Sequence, residues 1–212
     1  MAVTDKAAGK RGISAFLVPT KTPGYMVARI EDKLGQHSSD TAALLFENCR
    51  IPASLRIGEE GAGYKIALAG LEGGRIGIAS QSVGMARAAF EAALTYARER
   101  EAFGKPIFEH QSVQFKLADM ATKIEAAELL IRQAGDLKDA GKNCTKVAAM
   151  AKYYASEVSV QVSTDAVQVF GGYGYTKDFP VEKFYRDSKL CTIGEGTSEV
   201  QKLVIAREVL KG

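Results

Sequence analysis

Long apolar runs are absent from this chain. No stretch of about 18 apolar residues occurs, so the sequence predicts no membrane-spanning segment. Net charge is also small, because 28 basic and 25 acidic residues leave +3 with both histidines neutral. The basic residues form no clustered stripe of the kind that nucleic-acid binding needs, which argues against such a partner. The opening sequence, MAVTDKAAGKRG, has no apolar segment of the signal-peptide type, so we expect no targeting segment in this chain.

Cysteine and histidine are scarce. The three cysteines, Cys49, Cys144 and Cys191, are odd in number and far apart, which fits neither a disulfide framework nor a CxxC metal site. His37 and His110 lack the HxxxH spacing of a metal site. We therefore expect no bound metal and a reducing compartment, which is the cytoplasm of a bacterium or, in a eukaryote, the mitochondrial matrix.

Proline is rare, and its distribution divides the chain. Three of the five prolines lie in the first 55 residues, where short β-rich runs predict strands over 13–18, 25–30 and 41–46. A sheet this small is marginal in water by itself. We therefore expect residues 1–55 to be part of a larger β-domain.

Helical spacing of apolar residues begins near residue 62. It predicts a first helix that includes 76–97, a second with an apolar seam over 113–134, and a third over 145–170. Two shorter helices are expected over 181–190 and 198–210. Three long helices with one or two shorter ones are typical of an antiparallel bundle.

The last predicted helix carries two further expectations. Ser198 and Gln201 have the spacing of a capping box at its start. Its apolar residues should point inward, and these are Val200, Leu203, Val204 and Leu210. The expected fold class is mainly α, an antiparallel four-helix-type bundle over 56–212 preceded by a few strands of an incomplete β-domain over 1–55.

Glu195 is the first candidate for chemistry. It lies between Gly194 and Gly196, in a loop that precedes the last helix. Flanking glycines let the backbone approach a ligand closely, and the N-terminus of a helix favours negative charge nearby. A solvated loop glutamate explains the same spacing equally simply, so this motif alone does not decide between the two interpretations.

Two further motifs have structural explanations of equal standing. The run from Gln168 to Tyr175 contains GGxG rather than GxGxxG and follows a helix, which argues against a Rossmann dinucleotide site and favours a helix C-cap. The run from Arg100 to Ile107, with a Phe-Gly turn, could bind phosphate through its basic side chains. A basic helix end followed by a turn explains that run as well.

Taken together, these motifs resemble the acyl-CoA dehydrogenase family. The resemblance covers essentially the whole chain, with the motifs in the family's order and separations, and it is closest to the short-chain, butyryl-CoA type. The matching runs are Lys33–Gln36, Phe46–Pro52, Arg100 with Phe103–Pro106 and Gln111, Gln168–Gly172, Tyr185–Asp187, and Gly194–Gln201.

This resemblance implies a flavoenzyme built from an N-terminal helical domain, a middle β-domain and a C-terminal four-helix bundle. The chain is similar to the second half of that β-domain plus the whole bundle, so we expect an upstream segment in the complete enzyme and no activity from this chain alone. The family further implies FAD as cofactor, an acyl-CoA as substrate, an electron-transferring flavoprotein as partner, and a homo-oligomer, either a dimer or a tetramer.

The resemblance also assigns roles to single residues. Glu195 matches the catalytic base, which removes the α-proton of the acyl thioester while the β-hydrogen leaves as hydride to the flavin. In isovaleryl- and long-chain-type members the base stands instead at the position of Gly74, where glycine cannot abstract a proton. The positions that match FAD contacts of a neighbouring subunit are Arg100, Gln111, Gln168, Gly171 and Gly172. Those that match FAD contacts within the same active site are Thr197 and Glu199, and those that match substrate contacts are Arg75 and Gly196.

Two residues depart from the pattern of some relatives, since Ala102 replaces a hydroxyl residue and Glu199 replaces a glutamine. We expect each to remove one polar contact with the flavin. Two other functions stay open at this point. One is a related activity on the same fold, such as an acyl-CoA oxidase-like or branched acyl-CoA dehydrogenase reaction, and the other is a non-catalytic helical assembly module.

Overall fold

A computed structural model of the chain describes residues 1–211, apart from the side chain of Glu72. Helices dominate, as the sequence predicts. The strands are β1 (Ala2–Val3), β2 (Ile13–Phe16), β3 (Tyr25–Ile30), β4 (Ala42–Phe46), β5 (Arg56–Ile57), β6 (Glu101–Ala102) and β7 (Lys105–Pro106). The helices are α1 (Gly63–Glu99), α2 (Gln111–Asp139), α3 (Thr145–Phe170), α4 (Val181–Ser188) and α5 (Ser198–Val209). The mainly α fold class is confirmed.

The chain divides into two compact units, one of residues 1–33 and 37–72, the other of residues 34–36 and 73 onward. The proposed family domains over 1–55 and 56–212 stay a prediction. Gly212 lies outside the described residues. None of the helices in the described part of the chain is long and apolar enough to cross a membrane.

The first unit contains two small antiparallel sheets. One has the strand order β1-β2-β5, and the other pairs β3 with β4. The hydroxyl of Ser14, which is fully buried, accepts a hydrogen bond from the Gly61 amide at 2.9 Å. Several apolar side chains of β3 and β4 are nevertheless exposed, among them Met26, Val27, Leu44, Leu45 and Phe46. The two sheets therefore leave much of their apolar surface uncovered within this unit.

The second unit is built around a core shared by α1, α2 and α3. The predicted seam of α2 is confirmed, because Leu117, Met120, Ile124, Ala127 and Ala134 are buried. The face that α1 presents to the core consists mainly of alanines, since Ala79, Ala86, Ala89, Ala93 and Ala97 are all fully buried. Small side chains allow helix axes to approach closely, which accounts for a dense core with few large residues.

Helix α3 begins and ends at the predicted residues and forms the centre of this unit. It packs against α2, α4 and α5. An ion pair of 2.6 Å joins Lys116 of α2 to Asp165 of α3, and Gln161 donates a second hydrogen bond to the same carboxylate at 3.0 Å. Because α3 is covered on several sides, its position fixes that of the segments that follow it.

The capping expectation for α5 is wrong, and of the four apolar residues expected to point inward only Val204 is partly buried. Leu203 is 66% exposed and Leu210 84% exposed, and Val200 is exposed as well. The helix instead buries Ser198 and Gln201. The capping residue is Thr197, whose hydroxyl accepts a hydrogen bond from the Val200 amide at 3.4 Å. The apolar pattern of α5 does not predict its buried side, because Ser198 and Gln201 are buried with hydrogen bonds to Glu157 of α3 and to the turn before the helix.

Helix α4 is tied to the short segment 34–36 of the same unit. The Gln36 amide donates to the Asp187 carboxylate at 2.6 Å, and the Arg186 guanidinium donates to the Leu34 carbonyl at 2.9 Å. Gln36 has a left-handed backbone with φ of 54°. Burial raises the pKa of Asp187, but the Lys183 ammonium at 2.6 Å and the Gln36 amide together hold it below its ordinary value.

Candidate functional site

Glu195 lies in a tight turn between α4 and α5. A short 3-10 helix over Lys189–Thr192 leads into the turn, and α5 begins at Ser198. Glu195 has φ of 56° and the following Gly196 has φ of 90°. A left-handed backbone is uncommon and unfavourable for a residue with a side chain, and such residues concentrate at functional sites. Of the two flanking glycines, Gly196 adopts a positive φ that favours glycine, whereas Gly194 does not.

The side chain of Gln201 holds this turn. Its amide nitrogen donates to the carbonyl of Glu195 and to the carbonyl of Gly196, at 3.1 Å in each case. Gln201 is fully buried, and its amide oxygen has no hydrogen-bond partner among the described residues. The sequence predicts a capping box for Gln201 from its spacing to Ser198. The structure shows instead that its side chain binds the turn before the helix.

The Glu195 carboxylate points toward α1. A Cβ atom at Gly74 would lie 2.4 Å from the Oε2 atom of Glu195, so the carboxylate occupies the space that a side chain at that position would need. The neighbouring Arg75 has a buried Nε with no hydrogen-bond partner among the described residues. The structure thus brings together the turn of Glu195 and Gly196 and the segment of α1 that carries Arg75. A buried guanidinium nitrogen without a partner is unfavourable, so the contacts among the described residues do not account for Arg75.

A buried lysine lies in the same region and was not anticipated from the sequence. Lys152 of α3 is fully buried, and its amine has no hydrogen-bond partner among the described residues. Burial lowers the pKa of Lys152, while the Cys191 thiol and the carboxylates of Glu157, Glu195 and Glu199 act in the opposite direction. Lys152 therefore lies close enough to the Glu195 carboxylate for their charges to interact. No spacing in the sequence distinguishes this lysine from an exposed lysine of α3 such as Lys146.

The start of α5 is anchored to α3 by a second polar contact. The Ser198 hydroxyl, which is buried, donates to the Glu157 carboxylate. The buried Cys191 thiol has a raised pKa, chiefly because of burial, and the neighbouring Ser82 side chain of α1 acts in the opposite direction. The residues on both sides of Glu195 are thus held by contacts to α1 and α3, so the turn that they flank has a defined position.

The Arg100 and Gly171-Gly172 motifs meet in a second location. A cleft of about 490 Å³ is lined by Tyr96, Arg100, Ile107, Val169, Phe170, Gly171, Gly172, Tyr173 and Thr176. The Arg100 guanidinium lies 5.7 Å from the centre of the Tyr173 ring. The structure therefore combines one exposed positive charge, aromatic rings and glycine backbone at a single surface.

The glycines of this cleft serve more than one purpose. Gly171 caps α3 with φ of 60°, and its amide donates to the Gln168 carbonyl, as the C-cap interpretation predicts. A Cβ atom at either Gly171 or Gly172 would meet open space. No atom of this chain would collide with a side chain at position 172, so packing within the chain does not explain the glycine. A second molecule that approached the backbone closely at this position would explain it.

The Phe-Gly motif is the turn of a hairpin. Phe103 and Gly104 connect β6 to β7, and their φ values of 54° and 79° are those of a tight two-residue turn. The Phe103 ring is 96% exposed and lies edge-on to His110 at 5.9 Å. The turn thus presents an aromatic side chain to its surroundings.

The other candidate residues lie apart from the cleft or at the start of α5. Gln111 begins α2, and both Gln111 and Gln168 are exposed. Thr197 caps α5. The pKa of the exposed Glu199 is lowered first by the backbone amide of Glu199 and next by the Thr197 hydroxyl. No group of three or more metal-ligating side chains occurs among the described residues.

Comparison with known proteins identifies relatives over the whole chain. Residues 61–210 match the family model described as "Acyl-CoA dehydrogenase, C-terminal domain". The chain is 50% identical over 211 residues to an acyl-CoA dehydrogenase of Bacillus subtilis, which covers 100% of this chain and 56% of that protein. It is 52% identical over 210 residues to the mitochondrial short-chain specific acyl-CoA dehydrogenase of Bos taurus, covering 99% of this chain and 51% of that protein.

Solved structures give the same result. The butyryl-CoA dehydrogenase of Megasphaera elsdenii matches with a TM-score of 0.96 and 48% identity, over 99% of this chain and 55% of that one. A chain in the structure of the electron transferring flavoprotein of Acidaminococcus fermentans matches with a TM-score of 0.98 and 50% identity, over 100% of this chain and 56% of that one. This chain spans about half the length of the curated relatives it matches.

Proposed function

This chain belongs to the acyl-CoA dehydrogenase family, and from that premise we propose that it takes part in the α,β-dehydrogenation of a short-chain acyl-CoA, with Glu195 as the base. The observation that carries the proposal is the placement of the Glu195 carboxylate against Gly74, on a left-handed turn held by Gln201. Relatives named short-chain specific acyl-CoA dehydrogenase and butyryl-CoA dehydrogenase support the acyl chain length.

A carboxylate can serve as this base only in a suitable environment. The α-proton of a thioester is far too weakly acidic for removal by a carboxylate in water, so the site must stabilise the developing enolate through donors placed at the thioester oxygen. Gly196 leaves its backbone amide unshielded by a side chain. We assign to this region the binding of the thioester, with Arg75 as a further substrate contact. A bound acyl chain would exclude water from the Glu195 carboxylate, so that solvent would not compete with the substrate at the base.

The proposed cofactor is FAD, and the residues present fit part of it. The cleft of Arg100, Gly171, Gly172 and Tyr173 combines a guanidinium, exposed glycine backbone and an aromatic ring, which suit a pyrophosphate and its attached groups. Open space at the Cβ positions of both glycines leaves room for such a ligand. When bound, FAD accepts the β-hydrogen of the substrate as hydride. The remaining proposed contacts are Gln111 and Gln168, which are exposed outside the cleft lining, and Thr197 and Glu199 at the start of α5.

We assign the cleft contacts to the FAD of a neighbouring subunit, so the proposal includes a homodimer or homotetramer. Exposed apolar side chains on α5, such as Leu203 and Leu210, supply surface that self-association would cover. The match to a chain from an electron transferring flavoprotein structure supports an electron-transferring flavoprotein as partner. All three cysteines are free thiols, which fits a reducing compartment such as the bacterial cytoplasm or the mitochondrial matrix.

The test uses a chimera in which this chain replaces the matching part of the Megasphaera elsdenii short-chain acyl-CoA dehydrogenase, to which it is 48% identical over 210 residues. We expect the chimera to bind FAD and to reduce it with butyryl-CoA. Glu195→Gln keeps the shape of the side chain and removes its basicity, so the rate of flavin bleaching in stopped flow should fall by more than about a thousandfold. Binding of FAD and of butyryl-CoA should change little.

Glu125→Gln is the matched control, because Glu125 is exposed on α2. It should reduce the flavin at the unmodified rate. Near-normal reduction by Glu195→Gln would show that the base lies elsewhere and would contradict the proposal. Rapid reoxidation of the reduced chimera by oxygen, without an electron-transferring flavoprotein, would favour the oxidase-like alternative.

We also propose that the 212-residue chain by itself is inactive and holds FAD weakly. A large ligand owes its affinity to burial of most of its surface, and the chain matches only about half of its relatives' length. Each loss of about 1.4 kcal/mol weakens binding tenfold. Purification without added flavin, followed by absorbance at the flavin band and titration with FAD, tests this. A yellow protein that oxidises butyryl-CoA would contradict it.

A further inference from the structure

We infer that Gln201 is a positioning residue for the base, because its side-chain amide holds the backbone turn that carries Glu195. The inference rests on the proposed role of Glu195. Gln201 does not touch the carboxylate itself. It contacts the main chain on the C-terminal side of the base, at the carbonyls of Glu195 and Gly196.

The geometry matches the donors of a primary amide. Both carbonyl oxygens lie 3.1 Å from the same Nε2 atom, and a glutamine amide nitrogen carries two hydrogens, one for each acceptor. Gln201 is fully buried, so water does not compete for these bonds. A Cβ atom at Gly196 would lie 2.8 Å from this nitrogen, which shows how closely the amide is packed beneath the turn.

The turn needs such a restraint because its backbone is unfavourable by itself. Glu195 is a non-glycine residue with φ of 56°, and residues of this kind persist only when their surroundings hold them. Two consecutive carbonyls that accept from one side chain bring these peptide groups into a fixed relative orientation. The orientation of the Cα–Cβ bond of Glu195 follows from its backbone, so the same amide sets the direction in which the side chain leaves the turn, and the side-chain torsions then place the carboxylate.

Gln201 can hold the turn because it is itself well anchored. It lies in the first turn of α5, which begins with the Thr197 cap and with the hydrogen bond from Ser198 to Glu157 of α3. Contacts with α3 therefore fix the start of α5, and the Gln201 side chain on that helix in turn holds the carbonyl of Glu195. The Gln201 Oε1 atom is buried without a partner among the described residues, an unfavourable state that simple packing would not select.

The first test measures hydrogen exchange in the 212-residue chain. Gln201→Met keeps the length of the side chain but removes both donors, so amides of 193–197 should exchange about tenfold faster or more, while those of α2 and α3 keep their rates. Gln133→Met is the matched control, because Gln133 is exposed on α2, and it should leave the turn unchanged. Unchanged exchange at 193–197 in Gln201→Met would overturn the inference. Faster exchange throughout the chain would show a general structural role and would overturn it as well.

The second test separates positioning from binding in the chimera. Gln201→Met and Gln201→Glu should both lower the rate constant of flavin reduction by about tenfold to a hundredfold, since a misplaced catalytic group has an effect of that size. The dissociation constants of FAD and butyryl-CoA should stay within about twofold, because Gln201 is fully buried and its amide bonds the main chain of the turn. Equal weakening of binding and reduction, or a normal rate in either variant, would overturn the inference. A chimera that fails to reduce flavin before any substitution contradicts the proposed function instead, and hydrogen exchange then still tests Gln201.

Discussion

The Glu195 carboxylate occupies the space that a side chain at Gly74 would need. A Cβ atom at Gly74 would lie 2.4 Å from Oε2 and 2.7 Å from Cδ of Glu195. A glycine in the interior of α1 is unfavourable for the helix by about 1 kcal/mol relative to alanine. Its position opposite the proposed base gives this glycine a specific use, which is to leave room for the carboxylate.

Gly74→Ala should therefore reduce activity without reducing stability. The atoms that collide belong to the end of a flexible side chain, so the carboxylate moves away and the helix gains propensity of up to about 1 kcal/mol. In the chimera we expect flavin reduction by butyryl-CoA to slow at least about tenfold, with an unchanged or higher melting temperature. The control is Gly77→Ala, three residues along the same helix, where a Cβ atom meets open space. Equal activities of the two variants would contradict this prediction.

Lys152 should make the stability of the chain depend on alkaline pH. Burial lowers its pKa in the folded state from the ordinary value of 10.5. Between the folded pKa of Lys152 and the unfolded value of 10.5, the unfolded chain binds more protons than the folded chain. The free energy of unfolding therefore rises with pH across that interval. Relative to Lys152→Met, which cannot titrate, the unmodified chain should gain free energy of unfolding as the pH rises toward 10.5.

Denaturant unfolding at a series of alkaline pH values measures this difference. Lys146→Met is the matched control, because Lys146 is exposed on the same helix, and its difference from the unmodified chain should not change with pH. A constant difference between the unmodified chain and Lys152→Met would mean that the lysine titrates alike in both states.

Asp187 should stabilise the chain by tying α4 to residues 34–36. It accepts from the Gln36 amide and pairs with Lys183, each at 2.6 Å. Asp187→Ala removes the acceptor of the Gln36 amide and the ion pair with the exposed Lys183, and should lower the free energy of unfolding by about 2 kcal/mol. The folded pKa of Asp187 lies below 3.8, so its ionised form contributes fully above that pH, and the contribution is lost as the pH falls further.

Urea unfolding near neutral pH and at acidic pH checks both parts of the Asp187 prediction. Asp178→Ala provides a comparison, since Asp178 is exposed just before α4. The loss caused by Asp187→Ala should shrink as the pH drops below 3.8. A loss that persisted unchanged in acid would show that the carboxylate charge contributes nothing.

The helices could be predicted from the sequence because their burial follows helical spacing. The seam of α2 and the full length of α3 were predicted correctly, since their apolar residues do face the core. The same reasoning failed for α5, where Leu203 and Leu210 are exposed and the buried side chains are polar. The spacing of apolar residues predicts a hydrophobic face on a helix. It does not tell whether that face packs in the core of the chain or is exposed, as Leu203 and Leu210 are.

The candidate site was predictable only in part, for a related reason. Glu195 could be singled out because glycines flank it, and Arg100 could be placed with Gly171 and Gly172 through the family resemblance. Gln201 and Lys152 could not be found, because their roles depend on contacts across the turn and between α3 and the segments after it. A glutamine three residues after a serine has the pattern of a cap, and only the fold shows that its amide binds two carbonyls of the preceding turn.

Arg100 should contribute to FAD binding through its charge. It lies at the cleft with Gly171 and Gly172, and its guanidinium is 5.7 Å from the Tyr173 ring centre, so the ring helps to hold the charge in place. A guanidinium that pairs with a pyrophosphate makes charge-assisted hydrogen bonds. Their loss in Arg100→Met should weaken FAD binding to the chimera by about tenfold to a hundredfold.

Fluorescence titration with FAD at two salt concentrations measures the effect of Arg100→Met and its electrostatic origin. Salt should weaken binding to the unmodified chimera more than binding to the variant, since the variant has lost one charge at the site. Arg98→Met removes an exposed arginine from the last turn of α1, two residues before Arg100, and should leave affinity unchanged. If both arginine variants weakened binding equally, the effect would come from overall charge. The cleft would then have no specific part in holding the cofactor.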